Sequence, residues 1–142
     1  MNPEQHFSPD TVFLPWVDGP RRDHAGPVFV SVTDFHADTG DDARRIYETG
    51  SELGRTWPVM QGAVGLWLWG RPGERRGGSI SVWESERDMR RFVRWPVHAA
   101  IVGEWRGRIG VEVDSWHAAL FDPAPVLLRA RDTIDRPRRD AA

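Results

Sequence analysis

Hydrophobic and polar positions along the chain follow two different spacings, and their order predicts the secondary structure. Apolar residues at every second position indicate a strand, whereas spacing of three and four indicates an amphipathic helix. Residues 28–33 alternate Val with Phe, Ser and Thr and therefore predict a strand. Residues 38–57 predict a helix that ends before Pro58, with an apolar stripe of Ala43, Ile46, Tyr47, Gly50, Leu53 and Trp57.

The middle of the chain predicts a hairpin followed by a helix. Residues 64–69 and 79–83 have strand composition, and the segment between them is rich in Gly and Arg, as expected of a hairpin connection. Ser85 begins the next helix, because Asp88 lies three residues further on in an approximate capping box.

Pro96 predicts a break in this helix. A proline biases the preceding residue, Trp95, away from helical angles and removes one backbone donor. We expect a second helical piece from residue 96 to about 106, and the alternating residues 109–118 then predict the last strand.

The resulting order, β-α-β-β-α-β, predicts an α+β ferredoxin-like domain with an antiparallel sheet across residues 28–121. Residues 1–27 are rich in Pro, Asp and Gly and predict an extended N-terminal arm. Residues 122–142 predict a C-terminal tail with a short apolar patch and a disordered end rich in Arg and Asp.

The predicted strands are apolar on both sides, and two helices can cover only one face of a four-stranded sheet. The simplest cover for the other face is a second copy, which predicts a homodimer through the sheet face. The alternative is that the arm and the tail cover it. Trp67 and Trp69 share one side of their strand, which suits either such an interface or the wall of a pocket for a flat substrate.

Composition narrows the classes of function. The 142 residues include no Cys, which excludes disulfides, thiolate zinc sites and cysteine nucleophiles. All 19 basic residues are Arg, so Schiff-base chemistry on a lysine is excluded as well. A net charge of −2 with interspersed signs predicts no nucleic-acid partner. The chain shows no signal peptide and no long apolar run, so we expect a cytoplasmic protein with no membrane partner.

The sequence of residues 79–98 is Ser-Ile-Ser-Val-Trp-Glu-Ser-Glu-Arg-Asp-Met-Arg-Arg-Phe-Val-Arg-Trp-Pro-Val-His. This segment resembles a segment of the dimeric α/β-barrel superfamily. That superfamily includes the antibiotic-biosynthesis monooxygenases, in which a strand ends in a similar Val-Trp-x-Ser element before a helix with an aromatic residue and a histidine. The segment is most similar to the uncharacterised branch related to spheroidene monooxygenase. The resemblance implies a dimeric α/β barrel. Its members include cofactor-free quinone-forming monooxygenases, haem-binding enzymes, isomerases and proteins without known activity.

One departure from the superfamily concerns haem. Aligned through Val82 and Trp83, the haem-degrading members have a Trp and then a ligand His where this chain has Phe92 and Val102. This difference argues against haem degradation of that kind. His98, one turn earlier, remains an alternative haem ligand in another pose.

His98 is the candidate catalytic residue. In the first turn of the second helical piece, the positive end of the helix dipole disfavours the imidazolium form. A neutral imidazole suits a general base, a hydrogen-bond donor or an axial metal ligand. The alternative is a histidine packed under Trp95 or Trp105, with its nitrogens bonded to the backbone.

The candidate substrate-binding residues are aromatic side chains and one further histidine, namely Phe92, Trp105, Trp83, Tyr47 and His36. Asp34, His36 and Asp38 alternate at the end of the first strand, a pattern compatible with a metal ion. Solvated charges ahead of a helix are commoner, so no metal site is predicted.

These observations favour an enzyme of secondary metabolism, a monooxygenase-type oxidoreductase that modifies a small aromatic or polyene-like metabolite. In the cofactor-free form, His98 deprotonates a phenolic substrate, and the electron-rich anion meets oxygen in a desolvated pocket. Three alternatives remain open: a haem-binding enzyme with His98 as ligand, a cofactor-free cyclase or isomerase, and a non-catalytic dimer that binds a small molecule.

Overall fold

The computed structural model describes residues 2–136, and its elements follow the predicted order. Within this range the strands are β1 (Val12–Phe13), β2 (Val17–Asp18), β3 (Val28–Ala37), β4 (Ala63–Arg71), β5 (Arg76–Trp83) and β6 (Ile109–Ala118). The α-helices are α1 (Gly40–Gly54), α2 (Glu86–Arg94), α3 (Pro96–Trp105) and α4 (Pro123–Asp135), and short 3-10 helices cover Pro3–His6, Trp57–Val59 and Pro72–Glu74. No helix in the described range is long and apolar enough to cross a membrane.

The four long strands form one sheet in the order β4-β5-β3-β6, with every neighbouring pair antiparallel. With α1 and the α2–α3 pair as its two connections, this arrangement confirms the predicted α+β ferredoxin-like fold. The arm adds two short strands, β1 and β2, which both pair with the outer edge of β4.

Local sequence signals account for most helix ends. The Ser85 hydroxyl accepts a hydrogen bond from the Asp88 amide at 3.2 Å and donates one to its carboxylate at 2.8 Å, which confirms the predicted cap of α2. Thr39 caps α1 in the same way, through the Asp42 amide at 3.1 Å. Helix α1 therefore begins later than predicted, and it ends at Gly54, so that Trp57 falls in the 3-10 helix beyond it.

The break at Pro96 is confirmed. Trp95 adopts φ −57° and ψ 131°, outside the helical region, so α2 ends at Arg94 and α3 begins directly at Pro96. The chain turns sharply between the two helices, and the first turn of α3, which contains His98, is presented next to the end of α2.

One face of the sheet, here called the tail face, is closed by the two ends of the chain. Its strand residues are Val28, Val30, Val32, Val64, Trp67, Trp69, Ile80 and Val82. Helix α4 packs on them through Val126, Leu127, Ala130 and Ile134. The arm contributes Trp16, whose ring lies 4.4 Å from that of Trp67 and stacks on Phe121 at 5.3 Å. Gly65 makes room for it, because a Cβ there would lie 1.8 Å from the Trp16 ring.

The structure corrects two predictions about this face. Trp67 and Trp69 have no exposed surface, because the arm and α4 already cover them, so this face is not available as an interface between two copies. The alternative, in which the arm and the tail provide the cover, is the one observed. The tail is also more ordered than predicted, since residues 123–135 form a helix. The Arg- and Asp-rich end predicted to be disordered is helical up to Asp135, and its last part, residues 137–142, lies outside the described residues.

The opposite face, here called the helix face, is only partly covered. Beneath α1 and α2 it buries Phe29, Leu66 and Trp83. Towards β6 the cover ends, and Val111 and Val113 are 51% and 60% exposed. The sheet is therefore closed on one side and open along one edge of the other.

Candidate functional site

The His98 side chain is anchored by the backbone at the break between α2 and α3. Its Nδ1 lies 3.1 Å from the carbonyl oxygen of Val93. A carbonyl oxygen can only accept a hydrogen bond, so Nδ1 must carry the proton and donate. In the neutral ring, Nε2 then presents its lone pair.

The surroundings of His98 favour that neutral ring. Partial burial lowers the pKa of His98 below its ordinary value of 6.5, and the hydrogen bond to Val93 offsets part of this effect by raising it. The sequence predicts a neutral imidazole from the helix N-terminus alone. In the structure, burial of the imidazole against the end of α2 also lowers the pKa of His98 and so favours the neutral ring.

Five rings extend from His98 at the surface into the core, and together they are here called the aromatic cluster: Trp57, Trp83, Phe92, Trp95 and His98. The Phe92 ring is at its centre, 4.5 Å from the imidazole, 5.2 Å from Trp57 and 5.4 Å from Trp83. Phe92 is half-buried, whereas Trp83 and Trp57 are 0% and 2% exposed. Trp83 therefore supports Phe92 from below and does not itself reach the surface.

Trp57 belongs to the aromatic cluster, although the spacing of apolar residues predicts only that it lies on the apolar stripe of α1. Its indole Nε1 is buried and has no hydrogen-bond partner within residues 2–136, and the same is true of Trp67 and Trp105. Each unpaired buried donor costs about 1–3 kcal/mol, so such groups call for an explanation in a native protein. The available signal was Pro58, which ends α1 early and turns Trp57 into the space beside Phe92.

Trp105 has a different environment from the one predicted. The guanidinium of Arg108 lies 4.5 Å from its ring centroid and that of Arg45 lies 5.6 Å away. Arg108 also bonds to Asp42 of α1 at 3.2 Å. Trp105, only 3% exposed, therefore fastens the end of α3 to the start of α1.

Tyr47 and His36 lie away from His98. Tyr47, half-buried on α1, packs over β4, where a Cβ on Gly70 would lie 3.4 Å from its ring, and burial raises the pKa of its hydroxyl. His36 is on the tail face and lines a groove of about 580 Å³ together with Arg71, Glu74, Arg76, Ile134, Asp135 and Arg136. The structure thus brings together Phe92, Trp83 and His98, while Tyr47 and His36 stand apart.

The groove around His36 has the chemistry of an ion-pair network. Asp34 and Arg76 form a buried pair at 2.6 Å, and Arg76 also bonds to Glu74 at 2.9 Å. Burial by itself lowers the pKa of Arg76, but these two carboxylates outweigh it and raise the pKa. No group of three or more His, Cys, Asp or Glu residues in the described part of the chain is placed to hold a metal ion.

A row of hydroxyl groups crosses the helix face next to Trp83. Ser81, Ser31 and Ser115 lie side by side on β5, β3 and β6. Ser81 accepts a hydrogen bond from Trp83 Nε1 at 2.9 Å, and Ser115 donates to Ser31 at 3.1 Å. The row leads from the aromatic cluster to the exposed edge of the sheet, where Ser115 is exposed while Ser31 and Ser81 are buried. The alternation of residues 28–33 predicts the strand but gives no sign of this row, which depends on the pairing of three strands.

No family model matches the chain. No curated protein matches it either. Three solved structures share its fold. A ferredoxin-fold protein related to antibiotic biosynthesis monooxygenases from Listeria monocytogenes 4b F2365 is 16% identical, with a TM-score of 0.52 over 65% of this chain and 57% of its own. A candidate monooxygenase from Lactobacillus acidophilus NCFM is 11% identical, with a TM-score of 0.54 over 82% and 56%. One from Fusobacterium nucleatum is 9% identical, with a TM-score of 0.50 over 68% and 48%.

The chain has the ferredoxin-like fold of these monooxygenase-related proteins. The ferredoxin-like fold of the single chain is thereby confirmed, whereas the barrel formed by two copies and the branch related to spheroidene monooxygenase stay predictions. The match spans only about half the length of each of the three solved chains. At such low identity the likeness extends to the fold and not to individual site residues.

Proposed function

We propose that the protein is a monooxygenase-type oxidoreductase that acts on a small aromatic metabolite, with His98 as its acid–base group. The observation that carries the proposal is the bond from His98 Nδ1 to the Val93 carbonyl. It fixes a tautomer whose Nε2 is a base, beside an aromatic ring, Phe92, on which a flat substrate can stack.

The proposed reaction needs only the substrate, oxygen and this base. Nε2 removes the proton of a quinol hydroxyl, and the resulting anion is rich enough in electrons to react with O₂. One oxygen atom enters the ring and the other leaves as water, so that quinol and O₂ give hydroxyquinone and H₂O. The half-buried position of Phe92 and His98 limits water around the anion, which keeps it reactive.

The fold gives general support to this class of reaction. Two of the solved structures with the same fold are described as candidate monooxygenases and one as an uncharacterised protein related to antibiotic biosynthesis monooxygenases. Because one fold hosts many chemistries, the choice of reaction rests on His98 and its neighbours. Of the predicted substrate-binding residues, the proposal keeps Phe92 as the contact and Trp83 as its support.

Haem binding is a second candidate, favoured by the same hydrogen bond. Histidines that ligate metals commonly donate their other ring N–H to a backbone carbonyl, as Nδ1 does here. The residues present therefore fit this group: Nε2 of His98 would serve as a ligand to the iron, and Phe92 would offer an apolar contact to the macrocycle. Bound haem would supply activation of O₂ at its iron.

Oxygen uptake with a naphthoquinol tests the first candidate. Replacement of His98 by Gln removes the base and should lower kcat by about 10²–10⁴-fold, the usual contribution of a general base. His117→Gln is the matched control, because that side chain is 70% exposed and contacts Glu86 and the Phe29 ring rather than His98 or Phe92. Label from ¹⁸O₂ should appear in one oxygen of the product. A His98→Gln variant as active as the wild type would overturn the assignment of His98.

Two further measurements separate the alternatives. A Soret band after reconstitution with haemin, lost in His98→Ala and kept in His117→Ala, would favour the haem enzyme. Binding of the quinol, followed by quenching of tryptophan fluorescence, without oxygen uptake would instead favour a cyclase, an isomerase or a non-catalytic binding protein. Binding with uptake supports the oxygenase.

A further inference from the structure

The two edges of the sheet differ in whether other strands cover them. The outer edge of β4 is covered by β1 and β2, strands of two residues each from the arm. At the other end, β6 runs for ten residues and, within the described chain, pairs with β3 alone. A long, regular edge strand without proline is a template for pairing with another strand, and proteins usually cover or interrupt such edges.

The alternation of backbone bonds shows which residues of β6 face outward. The amide of Ala37 donates to the Arg75 carbonyl at 3.0 Å, on the β5 side of β3. Because bonding directions alternate along a strand, the even-numbered residues of β3 bond towards β6, and their partners in β6 are also even-numbered. The amides and carbonyls of Val111, Val113, Ser115 and His117 therefore point to the open edge.

These outward-facing residues also have accessible side chains. Val111 and Val113 are 51% and 60% exposed, and Ser115 and His117 are exposed as well. β-branched side chains on an open edge favour strand pairing. The edge thus offers both free backbone groups and apolar surface to a partner strand.

Charge disfavours two pairings of this edge with a second copy. In a twofold antiparallel pair centred on Val113, Glu112 would face the partner's Asp114, and a pair centred on Asp114 would place that carboxylate against its own copy. Like charges directly opposite are unfavourable. Centring on Ser115 places Asp114 opposite the partner's Trp116 and Glu112 opposite the partner's Ala118, and this pairing extends over residues 112–118.

The same register brings opposite charges together. The Arg129 guanidinium lies 4.1 Å from the Trp116 ring and bonds to both oxygens of Asp114 at 3.3 Å. With Asp114 opposite the partner's Trp116, each carboxylate also lies beside the guanidinium that covers that ring. We propose that the protein forms a twofold dimer by antiparallel pairing of β6 with β6 of a second copy, centred on Ser115.

Cross-linking tests the register directly, because the chain contains no cysteine. Residues opposite each other in a hydrogen-bonded antiparallel pair have Cα atoms about 5.5 Å apart, within the range that a disulfide spans. Ser115→Cys should therefore form a covalent dimer on mild oxidation. Val111→Cys is the matched control on the same strand and the same face, and in this register it would lie about 27 Å from its copy.

Light scattering on the unmodified protein provides the second measurement. The expected mass is twice 16.2 kDa, and Ser115→Pro, which removes an outward amide and leaves the bonds to β3 in place, should be monomeric with unchanged circular dichroism. Dimeric wild type with cross-linking at residue 115 and none at 111 supports the proposal. Monomeric wild type at high concentration, or equal cross-linking at both positions, overturns it. Neither measurement depends on the proposed enzymatic activity.

Discussion

The two faces of the sheet differ in how completely they are covered. On the tail face, α4 and the arm cover the strands until Trp67 and Trp69 have no exposed surface, and the charged residues Asp34 and Arg76 are bonded to each other. On the helix face, the cover thins out towards β6. There the structure leaves the His98 side chain half-buried and Val111 and Val113 exposed.

This difference indicates a division between stability and chemistry. A closely packed apolar face contributes to the free energy of folding but offers no reactive group. A titratable group held half-buried beside open space contributes less to stability, and natural proteins accept that cost mainly at functional sites. We therefore expect the tail face to contribute most of the stability, whereas the helix face contains the candidate site. Substitutions on the two faces should have different consequences.

The largest effect is expected from Trp67→Ala on the tail face. Removing a fully buried indole leaves a cavity under Trp16 and should lower the free energy of unfolding by about 3–5 kcal/mol. Phe92→Ala on the helix face removes a half-buried ring and should cost clearly less, while reducing ligand binding. Urea unfolding curves of both variants, read with ligand titrations, measure the contrast. Equal losses in the free energy of unfolding would mean that the two faces contribute equally to stability, which would contradict the proposed difference.

A second, smaller loss is expected from Asp34→Ala. The substitution leaves the buried Arg76 guanidinium without its carboxylate at 2.6 Å, although its bond to Glu74 remains. Breaking a buried pair by removing one partner costs about 3–5 kcal/mol, and the remaining bonds place this variant near the low end. Thermal unfolding of Asp34→Ala beside Asp38→Ala, an exposed carboxylate on the same segment, provides the measurement. A shift no larger than that of the control would show that the pair is not structurally important.

The sequence predicted the ferredoxin-like core because its signals are local. Alternation defines the four long strands, Ser85 and Asp88 form a cap within four residues, and Pro96 breaks the helix through its own ring. Such features depend on neighbouring residues, so no tertiary information is needed to find them.

The cover of the tail face could not be predicted in the same way. The apolar residues Val126 and Leu127 are few, and whether they pack on this chain or leave the sheet to a second copy depends on contacts between distant segments. Two apolar faces predict that each needs a cover but do not identify the cover.

The candidate site was predicted only in part, for a related reason. His98 and Phe92 are close in sequence, so their contact follows from the helix break. Trp57 reaches the aromatic cluster from a separate segment, and its unpaired N–H depends on the packing of Trp83 and Phe92 around it. Which of several tryptophans shares a space with a given histidine is decided by tertiary structure, which a pattern along the chain does not specify.

The smallest effect should be a pH dependence of stability that belongs to the helix face. Burial lowers the pKa of His98 in the folded protein below the value of about 6.5 expected in the unfolded chain. The stability that the neutral ring contributes is therefore fully present above about pH 6.5 and is lost as the pH falls through the folded-state pKa. The difference in unfolding free energy between the wild type and His98→Gln should shrink as the pH is lowered through this window. The other four histidines are common to both proteins, so their contributions cancel in the difference. Measurement is by urea unfolding at a series of pH values. A difference that grows on acidification would mean that the folded state favours the imidazolium, and the free base at Nε2 would then have to be abandoned.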